Sequence, residues 1–468
     1  MAQFSAYRTH AGPILRLAAP LVGSHLAQIA IHFTDTVMLG RYSVEALAGQ
    51  VLGATLFFVI FIVGSGFAWA VMPMVARAEA EGDVTGLRRV TRMGLWASVV
   101  YGALVMPALI LSEGMFAALG QTPEAAAIAA EYLSIAGWAM IPMLLVMVLK
   151  SYLSALERTQ VVLWVTVAAV GLNIVVNYLL IFGNWGFPEM GVAGAAVASL
   201  AVAVGSTLVL ALYALRVRPR DALFARFWRP DWSALGQVGR VGLPIGLTSL
   251  AESSLFAAST IMMGWLGTIP LAAHGTVLEI ASITFMIHMG LSNAATIRAG
   301  QAMGRRDGRE LRRGALVAVL MSAAVAAVAI AAFLIWPEAL VGLFLGTYVP
   351  DRDAVLATGA VLMLGAALFQ FFDGAQIMAL GLLRGVQDTT VPLILAVICY
   401  GLLGIPASYL MGFTLGLGGL GIWLGLTMGL VLASTCLLAR FFLWSGRGIS
   451  VGPSAAGAAA GAAAARPE

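Results

Sequence analysis

Lysine is almost missing from this chain: Lys150 stands alone among 26 basic residues. A phosphate-binding loop of the form G-x-x-x-x-G-K-[ST] needs a lysine after its glycines, and no such string occurs, so the chain does not burn ATP itself. Cysteine is as scarce. Cys399 and Cys436 are the two copies, both inside apolar stretches, and they offer neither a disulfide framework nor metal-ligand spacing. Charge of either sign is thin too. With 10% of its 468 residues charged and 61% hydrophobic, the chain lacks the polar surface to stay in water. Alternating ten-residue strands are absent, which excludes a membrane barrel. The zinc string H-E-x-x-H is also absent, and the connections between apolar runs on one side are too short to hold a catalytic domain, so an enzyme is not expected.

Present in abundance are apolar runs of twenty or more residues, each long enough to cross a hydrocarbon layer of ~30 Å as a helix. Twelve begin near Ile14, Ala46, Met93, Tyr132, Val161, Gly191, Leu243, His274, Gly314, Val355, Val391 and Gly418. Only Arg41 and Arg352 fall in the odd-numbered connections, whereas residues 77–92, 216–240 and 298–313 are rich in arginine. Positively charged connections stay in the cytoplasm, so both termini are expected inside. The net charge of +4 is thus a topology signal and no sign of a nucleic-acid partner. The first apolar run is too long for a signal-peptide core and contains Asp35, so it reads as a retained helix. Residues 446–468 form an Ala/Gly-rich tail expected to be disordered.

The chain also repeats itself at a constant offset of 224 residues. Arg16-Leu-Ala-Ala-Pro20 returns as Arg240-Val-Gly-Leu-Pro244, and Thr36-Val-Met38-Leu-Gly40 as Thr260-Ile-Met262-Met-Gly264. Gly66 recurs as Gly290, Asp83 as Asp307, and Leu87-Arg88-Arg89 as Leu311-Arg312-Arg313. Six helices per copy is an even number, so the two copies enter the membrane from the same side and form a parallel repeat, a mark of transporters that rock one half against the other. The expected organisation is a six-helix bundle over 1–215, a cytoplasmic linker over 216–240, a second six-helix bundle over 241–445 and the tail.

An ionised side chain at mid-bilayer costs at least ~2.5–3.5 kcal/mol, so polar groups inside the runs must face protein or water. Four carboxylates lie there: Asp35, Glu252, Glu279 and Asp373. His25, Gln28, His32 and Asp35 follow one another at spacings of 3, 4 and 3, which puts them on one helical face. Glu252 sits at the repeat register of Gln28, and Gln370, Asp373 and Gln376 share a face of the tenth helix. Asn173 and Asn177 lie one turn apart on the fifth, where amide oxygens can ligand a hard cation or accept from a protonated carboxyl. The histidines read as satisfied interior groups more readily than as metal ligands, since no third ligand is suitably spaced. For Glu279, a structural and a functional role are equally open.

The stretches Phe33-Thr-Asp35-Thr-Val-Met38-Leu-Gly40, Asn177-Tyr-Leu-Leu-Ile-Phe-Gly183, Ala272-Ala-His274, Ile297-Arg298-Ala-Gly300 and Leu383-Arg384-Gly385-Val-Gln-Asp388 together resemble the multidrug and toxic compound extrusion (MATE) transporters, in particular the NorM-like branch. The resemblance spans nearly the whole chain. It implies two six-helix bundles around a central cavity, no cofactor, and antiport of bulky, often cationic organic compounds against sodium ions or protons. Asp35, with Asn173 and Asn177, would be the acid site of the first half. Glu252 and Asp373 would form the cation site of the second, with a sodium ion as its possible occupant and Glu279 as a further coupling acid. The chain departs from the branch at Phe369, where a tyrosine is usual, at Gly275, where a glutamine is usual, and at Glu279, where an amide is usual. Losing a hydroxyl and gaining an acid leaves both ions open. The expected setting is a bacterial inner membrane and the expected state a monomer; the rival function is a flippase for lipid-linked intermediates from the same superfamily.

Overall fold

Capping side chains mark where several of the helices start. The computed structural model describes residues 2–118, 120–345 and 351–444, and among these it is helical with no strand. Twelve helices are long and apolar enough to cross a membrane, as the apolar runs predict. They are α1 (Ala2–Tyr42), α2 (Val44–Glu81), α3 (Val84–Ile110), α4 (Pro123–Ala155), α5 (Thr159–Phe182) and α6 (Gly191–Val217), then α7 (Trp232–Leu266), α8 (Thr268–Gly304), α9 (Gly308–Ile335), α10 (Arg352–Gly385), α11 (Thr390–Thr414) and α12 (Gly418–Trp444). The Ala/Gly-rich tail lies outside the described residues.

The repeat now acquires physical meaning. Asp83 and Asp307 are the N-caps of α3 and α9: Asp83 accepts from the Gly86 amide, Asp307 from the Arg309 and Glu310 amides, so each copy begins its third helix in the same way. Gly66 on α2 is pressed so closely onto α7 that a Cβ there would collide with the Gly242 carbonyl. Its copy Gly290, on α8, is pressed onto α1, where a Cβ would fall 2.7 Å from the Val22 nitrogen. Each bundle's second helix therefore lies on the other bundle's first, and both contacts need a residue without a side chain.

The bundles, α1–α6 and α7–α12, meet at the end that carries the arginine-rich connections. There Asn293 Nδ2 lies 3.0 Å from His25 Nε2, Gln301 Nε2 donates to Glu157 Oε1 at 2.9 Å, and the Arg384 guanidinium sits 5.0 Å over the Trp69 ring. Outside the helices, the connection between bundles is shorter than the 216–240 read from the sequence, because α6 runs to Val217 and α7 starts at Trp232. It is tied to the first bundle. Tyr152 donates to the buried Asp221 at 2.6 Å, Arg218 pairs with Glu79 at 2.7 Å, Trp96 donates to the Phe227 carbonyl at 2.8 Å, and Arg89 pairs with Asp231. At the opposite end the faces of α1, α2 and α8 that would continue this seam are exposed, as at Phe33, Phe58 and Ile283, so the two bundles part there.

Candidate functional site

In the first bundle, Asp35 lies near the C-terminal end of α1 and is 5% exposed. Asn173 and Asn177, one turn apart on α5, both donate through Nδ2 to Asp35 Oδ1, at 3.0 and 2.6 Å, and Asn177 Nδ2 also reaches Asn173 Oδ1 at 3.2 Å. The carbonyl oxygen of Asn177 is buried with no protein partner, as is that of Gln50 on α2. An acid held by two amide donors beside unpaired side-chain carbonyl oxygens has the chemistry to hold a proton or a small cation.

The polar face of α1 divides between these neighbours. His25, Gln28, His32 and Asp35 do not join into one network: His25 turns to Asn293 of the other bundle, Asp35 to α5 of its own, and His32 is exposed. At about 100° per residue, the ten residues from His25 to Asp35 carry the face about 80° round the helix, enough to change neighbours. Gln28 is partly exposed and makes no side-chain hydrogen bond among the described residues.

The second bundle holds the larger polar cluster. Gln370, Asp373 and Gln376 on α10 are buried to 0%, 1% and 0% exposure, and Gln376 Nε2 donates to Glu252 Oε1 on α7 at 3.2 Å. Asp373 Oδ1, Gln376 Oε1 and both polar atoms of Gln370 have no protein partner. Leaving a buried polar atom unpaired costs ~1–3 kcal/mol, so these groups together call for polar ligands. Carboxylate and amide oxygens at these positions suit a hard cation or a shared proton. Among the described residues no three His, Cys, Asp or Glu side chains cluster, so a cation here would draw on the amides as well as the two acids. Glu279 stays apart from the other three acids, exposed on α8, with no side-chain hydrogen bond or ion pair among the described residues.

Two contributors escaped the reading of the sequence. Tyr400, on α11, is fully buried beside Gln376, its hydroxyl makes no hydrogen bond of good geometry, and it lies within the field of both Glu252 and Asp373. Its signal was faint, a lone tyrosine ahead of Pro406 in a helix whose turns are widened over Val397–Gly404 and Leu410–Thr414. Gln50 is the repeat copy of His274, whose Nε2 lies 3.3 Å from Thr260 Oγ1, and aligning the polar residues of the two copies would have found it. Phe369, one turn before Asp373, brings a ring and no oxygen; it packs edge-on against Phe256 and Trp423, at 5.9 and 5.3 Å between ring centres.

The MatE family model matches residues 20–179 and again 244–410, once on each bundle. The chain belongs to the MATE family. A relative from Rhizobium meliloti (strain 1021), named "Probable multidrug resistance protein NorM", is 46% identical over 96% of this chain and 97% of its own. One of the same name from Pseudomonas putida is 37% identical over 92% and 93%. Among solved structures, an outward-facing MATE transporter of the MOP superfamily overlays with a TM-score of 0.83 at 22% identity, covering 94% of this chain and 96% of that one. A MOP superfamily transporter from Pyrococcus furiosus overlays equally well, with TM-score 0.83, 22% identity and the same coverage, and both show the fold is shared. This MATE protein is accordingly a multi-pass membrane transporter of the NorM-like branch and not an enzyme.

Proposed function

We propose that this MATE protein exports bulky, often cationic organic compounds across a bacterial inner membrane by antiport against protons or sodium ions, with both termini in the cytoplasm. The observation that carries the reading is the pair of intramembrane acid sites, one per bundle: Asp35 with its two asparagines, and Glu252 with Asp373 among unpaired amide oxygens. Acids so costly to bury are supported by what they exchange. The names of the NorM relatives speak of multidrug resistance, which supports drug-like organic molecules as substrates.

With arginine-rich connections inside, the seam of Gly66 and Gly290 closes the cytoplasmic end and the cavity opens outward. An ion that binds more tightly in one facing than the other shifts the balance between them, and a compound competing for the cavity shifts it back. Tyr400 would add a hydroxyl to the Glu252 and Asp373 set, where Phe369 has none to offer. The test is efflux of a fluorescent organic cation from proteoliposomes under separately imposed proton and sodium gradients. Efflux driven by either gradient, and its loss in both Glu252→Gln and Asp373→Asn while the proteins stay folded, is the expected result. Transport that ignores both gradients, or full transport by the two neutral variants, would sink antiport through this pair.

A further inference from the structure

Glu279 belongs to neither acid site, yet an acid on a lipid-facing surface would be costly, so where α8 turns this residue decides what it does. The inter-bundle contacts of α8 give the answer. Gly304 lies against Arg77, Gly300 against Pro73, Asn293 against His25 and Gly290 against Val22, so one line of the helix faces the first bundle. Continued in steps of three and four, that line runs through Ile283 to Glu279. At about 100° per residue, the eleven positions from Gly290 to Glu279 return to within about 20° of the same azimuth, and no proline lies between them. Glu279 therefore points where Gly290 points, toward the other bundle, at a level where the bundles have parted and it is exposed.

The opposite wall follows by the same arithmetic. Pro73, which meets α8 at the seam, has Thr55 eighteen residues earlier, about five full turns along α2 and so at the same azimuth. Thr55 is also the repeat copy of Glu279, and its hydroxyl is spent on the Val51 carbonyl at 2.7 Å. Beside it Phe58 is 51% exposed, and on α1 Phe33 is 67% exposed. One turn before Glu279, Gly275 leaves open space where a side chain would stand. Among the described residues, the gap thus presents the unpaired Glu279 carboxylate with room beside it, opposite aromatic faces that attract cations.

We propose that Glu279 selects substrates by charge: it is the recognition residue for organic monocations with aromatic bodies, its carboxylate meeting the positive centre and Phe33 and Phe58 the rings. This deepens the efflux reading and rests on it. It predicts that selectivity for cations over neutral molecules of the same shape resides in one side chain of the second bundle.

The experiment is equilibrium binding to the purified full-length protein in detergent, with tetraphenylphosphonium as the cation and triphenylphosphine oxide as a neutral molecule of similar shape. Because no ion gradient is involved, failure of antiport would appear in the proteoliposome assay and not here. Glu279→Gln is expected to weaken tetraphenylphosphonium binding about tenfold or more while moving the neutral compound less than about twofold, and Glu279→Asp to retain most of the cation affinity. Cation affinity in Glu279→Gln within about twofold of the native protein overturns the proposal, as does an equal loss for both compounds. Native-like cation binding joined to a lost response to the ion gradient would move Glu279 to the coupling machinery and overturn it as well.

Discussion

Asp231 does two jobs at the mouth of α7: it caps the helix by accepting from the Ala234 amide at 3.0 Å, and it pairs with Arg89 of the first bundle. The Arg89 guanidinium holds the Asp231 carboxyl below the ordinary carboxylate range, and the Ala234 amide adds to the effect. A depressed folded-state value means that the ion pair adds stability above the ordinary carboxylate range and loses it as pH falls through the depressed value. Asp231→Asn keeps a good cap and removes the charge, so at neutral pH it should lower stability by no more than ~1 kcal/mol, as expected of a partly exposed pair. The two proteins should converge as the medium is acidified. Melting curves in detergent across the acid range test this, and a gap between them that stays constant with pH would remove the ion pair from the account.

The helices matter through the lines of contact they carry. The Gly66 and Gly290 contacts let α2 and α8 lie directly on the backbones of α7 and α1, a closeness that a side chain would forbid. Gly66→Leu should therefore wedge the seam open. Spin labels at Thr85 and Arg309, exposed repeat copies just inside α3 and α9, should then sit farther apart by several ångströms, about the size of the added side chain. An unchanged distance distribution would mean that the seam does not depend on this contact. The π-widened turns of α11 belong to the same scale, because they carry the run that holds Tyr400. Helical drift also explains why the polar face of α1 serves two neighbours: spacings of three and four keep residues on one side over two turns, yet a third turn brings the next helix into reach.

For the molecule as a whole, the proposed inside-inside topology predicts that single cysteines at Gly236 and Gly308 are shielded from an impermeant thiol reagent in intact cells, while one at Glu45 reacts. The reverse pattern would invert the protein in its membrane and with it the direction of every proposed step. Much of the architecture was legible beforehand, since hydropathy, arginine placement and the repeat are written along the chain and need no long-range contact to be read. Twelve spans and two parallel bundles followed from them, while the family followed from motif stretches such as Phe33–Gly40, whose resemblance also implied Asp35 beside Asn173 and Asn177. Hydropathy and periodicity could place Glu252, Asp373 and Glu279 in the membrane but could not say which of them share a neighbourhood; only the family resemblance implied that Glu252 and Asp373 do. That depended on azimuth and on which helix lies alongside. Tertiary structure alone joined Gln376 to Glu252, brought Tyr400 in from α11, handed His25 to the opposite bundle and left Glu279 exposed on α8. The reason is geometric: a one-residue change in phase turns a helical side chain by about 100°, and only packing against a particular neighbour decides what then lies in front of it.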